Sequence, residues 1–253
     1  MAISRGQFLR SLGASLPGYA LGSAAAIASK LLAAGQAPTI MPPRVTPPQT
    51  QPRAAEVECI KSGPATGRRI ALTFDDGPEP GVTDKILDEL KARNCLATFF
   101  MIGRQVAAHP DLARRVLAEG HEIGNHTATH RKLTTLPDDQ VEQELHDAER
   151  TFEDLLQHKP RWFRPPFNEF RKTQARLATC YGLQVVLGSL DSFDWMGRPG
   201  ADTVRHVLEK AVPGSIIVCH DTLPETAHFV GSILDGLRDK NLEPVTLSTL
   251  LAP

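Results

Sequence analysis

The sequence predicts an α/β protein, a closed or distorted (β/α) barrel of about seven parallel strands, and three observations carry that prediction. Short apolar runs alternate with segments of helical periodicity from about residue 68 onward. Polar residues able to bind metal or move protons collect just past the ends of those runs, where such barrels place their chemistry. The 253 residues are 41% hydrophobic and 23% charged, an ordinary soluble composition with enough apolar material for one sizeable core or two small ones.

In chain order, "RRIALTF" (68–74) reads as a buried strand. In 82–94, Val82, Ile86, Leu87 and Leu90 then fall on one helical face, and "CLATFFMI" (95–102) is a second strand. Further helices are expected over 104–119, 138–157, 171–181, 202–211 and 226–240. Strands are expected at "HEIGN" (121–125), "RWFRP" (161–165), "QVVLG" (184–188), "SIIVC" (215–219) and "EPVTL" (243–247). Seven such units are fewer than a full eight-stranded barrel uses, hence the expectation of abbreviated units.

The N-terminus has a different character. Arg5 and Arg10 precede a charge-free stretch, 11–29, with the small-x-small triplet "AIA" at 26–28. That is the form of an export signal over 1–28, or of an N-terminal membrane anchor if it is retained. "SRGQFLR" (4–10) resembles a twin-arginine signal with Gly6 in place of the second arginine. A Pro-rich linker follows within 29–67, its prolines concentrated in 38–53, and the folded domain is expected over 68–253. Net charge is −1 with Lys and Arg dispersed, so the basic footprint of a nucleic-acid binder is missing. Cys59, Cys95, Cys180 and Cys219 form no CxxC pair, and no disulfide connectivity follows from their spacing.

Five motifs carry chemistry. "TFDDG" (73–77) ends a strand with adjacent carboxylates, Asp75 and Asp76; an Asp-Gly-Pro turn accounts for one of them better than for both. "HTATH" places His126 and His130 four residues apart; at the start of a helix both imidazoles would share one face and take one metal ion. With nine histidines in the chain this pair is a weak signal alone, and a nearby carboxylate strengthens it. Arg164 precedes two stiffening prolines, which suits a guanidinium forked onto a carboxylate or an arginine beside a surface turn. "DSFDW" (191–195) holds Asp191, Asp194 and Trp195, the aromatic serving as a sugar-stacking wall or as core. "VCH" (218–220) runs a buried strand into His220, which fits a catalytic group or a polar strand cap.

Taken in order, "TFDDG", "HTATH", "RPPF", "DSFDW" and "VCH" resemble the motifs of the polysaccharide deacetylase family, the NodB-homology or carbohydrate esterase family 4 domain. The resemblance implies a distorted (β/α) barrel and a divalent metal held by Asp76, His126 and His130, usually Zn2+ with Co2+ or Ni2+ also serving. It implies Asp75 as general base oriented by Arg164, and His220 as general acid held by Asp191. The backbone N–H of Phe167 would stabilise the oxyanion and Trp195 would contact substrate. The implied activity is removal of N-acetyl groups, or of O-acetyl groups as on xylan, from a polysaccharide or oligosaccharide such as peptidoglycan or chitin-type chains; the enzyme is expected to be exported to the periplasm, cell envelope or medium and to be a monomer. This chain has "RPPFN" where the family commonly has "RPPYG": Phe167 lacks the phenol and Asn168 replaces a glycine, a departure bearing on substrate preference. A non-catalytic wall-binding protein on the same fold and a small-molecule amidase stand as alternatives.

Overall fold

The computed structural model describes residues 58–252. The expected export signal, and the linker up to residue 57, lie outside the described residues. Among the described residues no helix is long and apolar enough to cross a membrane.

A parallel sheet organises the fold. Its strands are β1 (Arg69–Asp75), β2 (Thr98–Met101), β3 (Glu122–Asn125), β4 (Trp162–Phe163), β5 (Gln184–Val185), β6 (Leu190–Asp191), β7 (Ile216–His220) and β8 (Glu243–Val245). The order is β5-β4-β3-β2-β1-β7-β6, with β8 pairing β1 off that path. β7 pairs one side of β1 along Ala71–Asp75. On the other side β8 takes Arg69–Ala71 and β2 takes Thr73–Asp75 in succession. The helices are α1 (Thr83–Ala92), α2 (Gly103–Ala108), α3 (Pro110–Ala118), α4 (Asp138–Leu156), α5 (Lys172–Cys180), α6 (Gly200–Lys210), α7 (Pro224–Asp239) and α8 (Leu247–Leu250).

The parallel barrel is as expected, and the differences in detail have local causes. The single helix expected over 104–119 is two, because Pro110 lacks the N–H that would continue the ladder and starts α3 instead. The run 184–188 divides: β5 stops at Val185 and the two-residue β6 follows at Leu190, a strand too short for any pattern to announce.

Burial follows the strand period of two. Ile70, Leu72, Phe74, Phe99, Met101, Ile217 and Cys219 face the helices in the main core. Ala71, Phe100, Trp162, Val186 and Ile216 fill the barrel interior with Leu247 and Leu250 of α8. Gly124 also faces inward, where a Cβ would stand 2.6 Å from the Phe100 ring. At the closed end, Glu122 accepts from Trp162 Nε1 at 2.8 Å, Thr98 Oγ1 at 3.1 Å and the N–H of Ser248 at 3.1 Å, which satisfies a charge that burial would otherwise penalise.

The fold extends upstream of Arg68. Ile60 N–H donates to Val185 O at 2.9 Å, Leu187 N–H donates to Ile60 O at 2.7 Å, and Gly63 N–H donates to Gly214 O at 2.8 Å. Residues 60–63 therefore lie along the open side between β5 and the start of β7. Part of the stretch read as linker is a stave of the barrel.

Candidate active site

The inward parity that buries Ala71 and Thr73 on β1 brings Asp75 to the rim on the same side. The same alternation carries Trp162 to Arg164 past β4, and Ile216 through Val218 to His220 on β7. Because Asp75 and His220 are paired across β1 and β7, the two side chains emerge next to each other.

Asp75 is 4% exposed and lies 2.6 Å from Arg164 Nη1. The guanidinium is fully buried inside the barrel, 4.1 Å above the Phe100 ring, and also donates to Thr73 Oγ1 at 2.8 Å. Thr73 Oγ1 donates onward to Ile217 O at 2.7 Å. A charge buried this deeply needs partners, and Asp75 supplies the opposite one.

Asp76, one residue on, takes a left-handed φ of 80° and sends its carboxylate elsewhere. Its Oδ1 lies 3.3 Å from His126 Nε2 and 3.1 Å from His130 Nε2. These distances suit an ion pair, but the angles make no hydrogen bond, and Asp76 Oδ1 is a buried oxygen without a hydrogen-bond partner. Burial opposes its charge, yet the His126 and His130 imidazoles outweigh that and hold the Asp76 carboxyl well below the ordinary range. His126 Nδ1 is 2.7 Å from Arg164 O; a proton there leaves the Nε2 lone pair facing Asp76. The three donor atoms lie within 4.8 Å of one another. One carboxylate and two imidazoles converging without bonding each other suit a divalent first-row ion with open coordination positions.

The two histidines meet through a loop, not along a helix face. Thr127 and His130 adopt φ of 69° and 63°. Thr127 N–H donates to Asn125 Oδ1 at 2.7 Å, and Thr127 Oγ1 accepts from His130 N–H at 3.0 Å. From α4, Glu144 accepts Thr129 N–H at 2.8 Å and Thr129 Oγ1 at 2.5 Å. Glu144 was not singled out by the sequence, since nothing local marks a residue 15 positions away as the brace of this loop; Asn125, whose bond reaches only two residues on, was passed over as part of its strand.

His220 corrects an expectation. The carboxylate on its Nδ1 is Asp194, at 2.7 Å, not Asp191. Asp194 Oδ2 accepts the His220 N–H at 2.7 Å and Thr226 Oγ1 at 2.8 Å. Asp191 is turned the other way: Oδ1 accepts Phe193 N–H at 2.7 Å and Oδ2 lies 3.3 Å from Trp195 Nε1. The cause is backbone. β6 ends at Asp191, Phe193 swings to a left-handed φ of 58°, and the turn Asp194–Met196 returns the second carboxylate toward β7. Burial lowers the His220 pKa, but the Asp194 hydrogen bond and the carboxylates of Asp75, Asp194 and Asp76 outweigh it and lift it from 6.5 to about 9.

Phe167 and Asn168 follow Arg164 in a turn with φ of 60° and 54°, so both non-glycine residues occupy the left-handed region. Phe167 is 58% exposed, its ring 4.9 Å from that of His130, and Trp195 is 56% exposed. Two exposed aromatics thus stand on loops that also carry site residues.

A further polar residue just past a strand end was given no role by the sequence. Asp221 is fully buried directly after His220. Its Oδ2 accepts Thr83 Oγ1 at 2.7 Å, while Oδ1 has no partner. Burial, opposed by the Thr83 bond, pushes its pKa up to about 7.

Comparison with known proteins sets this geometry beside others. The family described as polysaccharide deacetylase matches over residues 62–186. A peptidoglycan-N-acetylglucosamine deacetylase of Bacillus cereus is 37% identical over 193 residues, 75% of this chain and 70% of the relative. A chitooligosaccharide deacetylase of Rhizobium leguminosarum bv. trifolii is 40% identical over 192 residues, 73% of this chain and 83% of the relative. The crystal structure of the Bc1960 peptidoglycan N-acetylglucosamine deacetylase superimposes with a TM-score of 0.74 at 34% identity, covering 76% of this chain and 92% of that one.

Proposed function

Because the chain belongs to the polysaccharide deacetylase family, we propose that it is an exported, metal-dependent enzyme that hydrolyses N-acetyl groups on a glycan of the peptidoglycan or chitin type. One observation carries the reading. A metal-competent triangle, a carboxylate paired with a buried arginine and an imidazole paired with a buried carboxylate all open on one barrel rim. A protein that only bound glycan would need neither of the last two.

Asp76, His126 and His130 would hold the ion, which supplies Lewis-acid chemistry by polarising a carbonyl and acidifying water. Asp75 accepts the proton of the attacking water. Arg164 keeps the Asp75 carboxylate aimed, since its guanidinium is fixed by Phe100 and Thr73. Phe167 N–H donates to the developing oxyanion from the rim turn. His220 holds a proton at neutral pH and donates it to the leaving nitrogen, because an amine anion is a prohibitively poor leaving group. Asp194 holds the ring and stabilises its charged form. Phe167 and Trp195 flank the site as apolar faces for sugar rings. Acetate and a free amino sugar result.

The test is metal content of the purified full chain together with acetate release from chitooligosaccharides, peptidoglycan and acetylated xylan. The expected result is about one divalent ion per chain and release from at least one N-acetylated glycan. Metal bound with silence on all three glycans would overturn the substrate assignment and move it to a small-molecule amide.

A further inference from the structure

The turn Asp75-Asp76-Gly77 is gripped from two sides. On the β2 side, Asp76 N–H donates to Phe100 O at 3.2 Å and Ile102 N–H donates to Gly77 O at 3.1 Å. On the β7 side the grip is Asp221. Its N–H donates to Asp75 O at 3.2 Å, and its carboxylate reaches across to Thr83 in the first turn of α1. Thr83 Oγ1 also accepts the Glu79 N–H at 2.8 Å, so the contact spans the whole 76–83 loop. The fit leaves no slack: a Cβ on residue 77 would lie 2.1 Å from Asp221 Oδ2.

A fully buried carboxylate with one oxygen unpartnered is a poor device for stability alone, since an apolar residue of similar size would avoid its desolvation. What it does fix is a residue under strain. Asp76 is held at φ 80°, a conformation that strains a non-glycine residue and persists only where its surroundings over-determine it. Without the grip on the β7 side, the turn would relax and swing the Asp76 carboxylate away from the two imidazoles.

We propose that Asp221, through Gly77 and Thr83, is a positioning residue that sets the Asp76 carboxylate in its metal-binding orientation. This rests on the metal-dependent reading above. It also makes the end of β7 serve both halves of the chemistry, since His220 closes the strand and Asp221 follows it directly.

The experiment measures the affinity of the full chain for Zn2+ alone, by chelator competition, in the wild type and in Asp221→Leu, Asp221→Asn and Thr83→Val. Asp221→Leu should bind zinc about ten- to a hundredfold more weakly, the size expected when an orienting partner of a metal ligand is lost. Asp221→Asn should stay within about threefold of wild type, because its amide oxygen can take the Oδ2 position and its nitrogen falls where Oδ1 has no partner. Thr83→Val keeps the side-chain shape, tests the same contact if the leucine variant does not fold, and should weaken binding about tenfold. Folded Asp221→Leu or Thr83→Val with wild-type zinc affinity would overturn the proposal. A wild type that binds no zinc, with His126→Ala indistinguishable from it, would overturn the underlying metal reading instead.

Discussion

Replacing Asp194 by Asn should move the alkaline limb of the reaction. Asp194 meets His220 twice, at Nδ1 and at the backbone N–H, both at 2.7 Å. The folded protein lifts the His220 pKa from 6.5 to about 9, worth about 3 kcal/mol of preference for the protonated ring. With a cation on Asp76 that carboxylate no longer contributes, so Asp194 and Asp75 carry the lift against the burial that opposes it. An Asn side chain has no charge, and in either amide orientation its NH2 faces a donor or displaces the proton on Nδ1. The kcat profile, from acetate release between pH 5.5 and 10, should fall along an alkaline limb centred near pH 9 in the wild type. In Asp194→Asn that limb should appear about two pH units lower, with the maximum rate down about 10²- to 10⁴-fold for an impaired general acid. The sign is that of a raised histidine: the stability it adds is fully present below 6.5 and is lost as pH rises through about 9. Asp191→Asn is the control and should leave the limb in place. If the limb moves in Asp191→Asn and not in Asp194→Asn, the assignment of His220 to Asp194 is wrong.

Other outcomes follow from the same contacts. Asp75→Asn should keep its metal by elemental analysis while losing most turnover, whereas His126→Ala should lose the metal itself; full activity in the former would remove Asp75 as base. A chain beginning at Arg68 should unfold in urea with about 2–4 kcal/mol less stability than one beginning at Glu58. It lacks the Ile60 and Gly63 backbone bonds, each worth ~1 kcal/mol, and the packing of Ile60. Gly77→Ala should cost about 1–3 kcal/mol in the same measurement, because its new methyl collides with Asp221 Oδ2.

The parallel βα order and the three residues of the metal-competent triangle were legible because they rest on local signals: apolar runs, strand ends and short motifs. Asp75 and Asp76 diverge as adjacent positions leaving a strand must, once φ at Asp76 turns positive. Asp191 and Asp194 show where legibility stopped. Both are carboxylates just past one strand, and only the left-handed turn at Phe193 decides which faces His220. The braces Glu144 and Thr83, and the role of Asp221, were hidden for a related reason. Each acts on a loop remote in sequence or through a backbone group, and a bond of that kind leaves no spacing to read.

The pairing of β1 bears on the order in which the chain can fold. Of its three partners only β2 is near in sequence; β7 and β8 begin at Ile216 and Glu243. Ile60 likewise waits for Val185, and Gly63 for Gly214. A chain emerging from its N-terminus therefore cannot complete its central strand or close its barrel until nearly all of it has been made. Contacts of such long sequence separation fold slowly, because loop closure comes before the bonds that reward it. The unfinished chain stays open until β7 and β8 have been made.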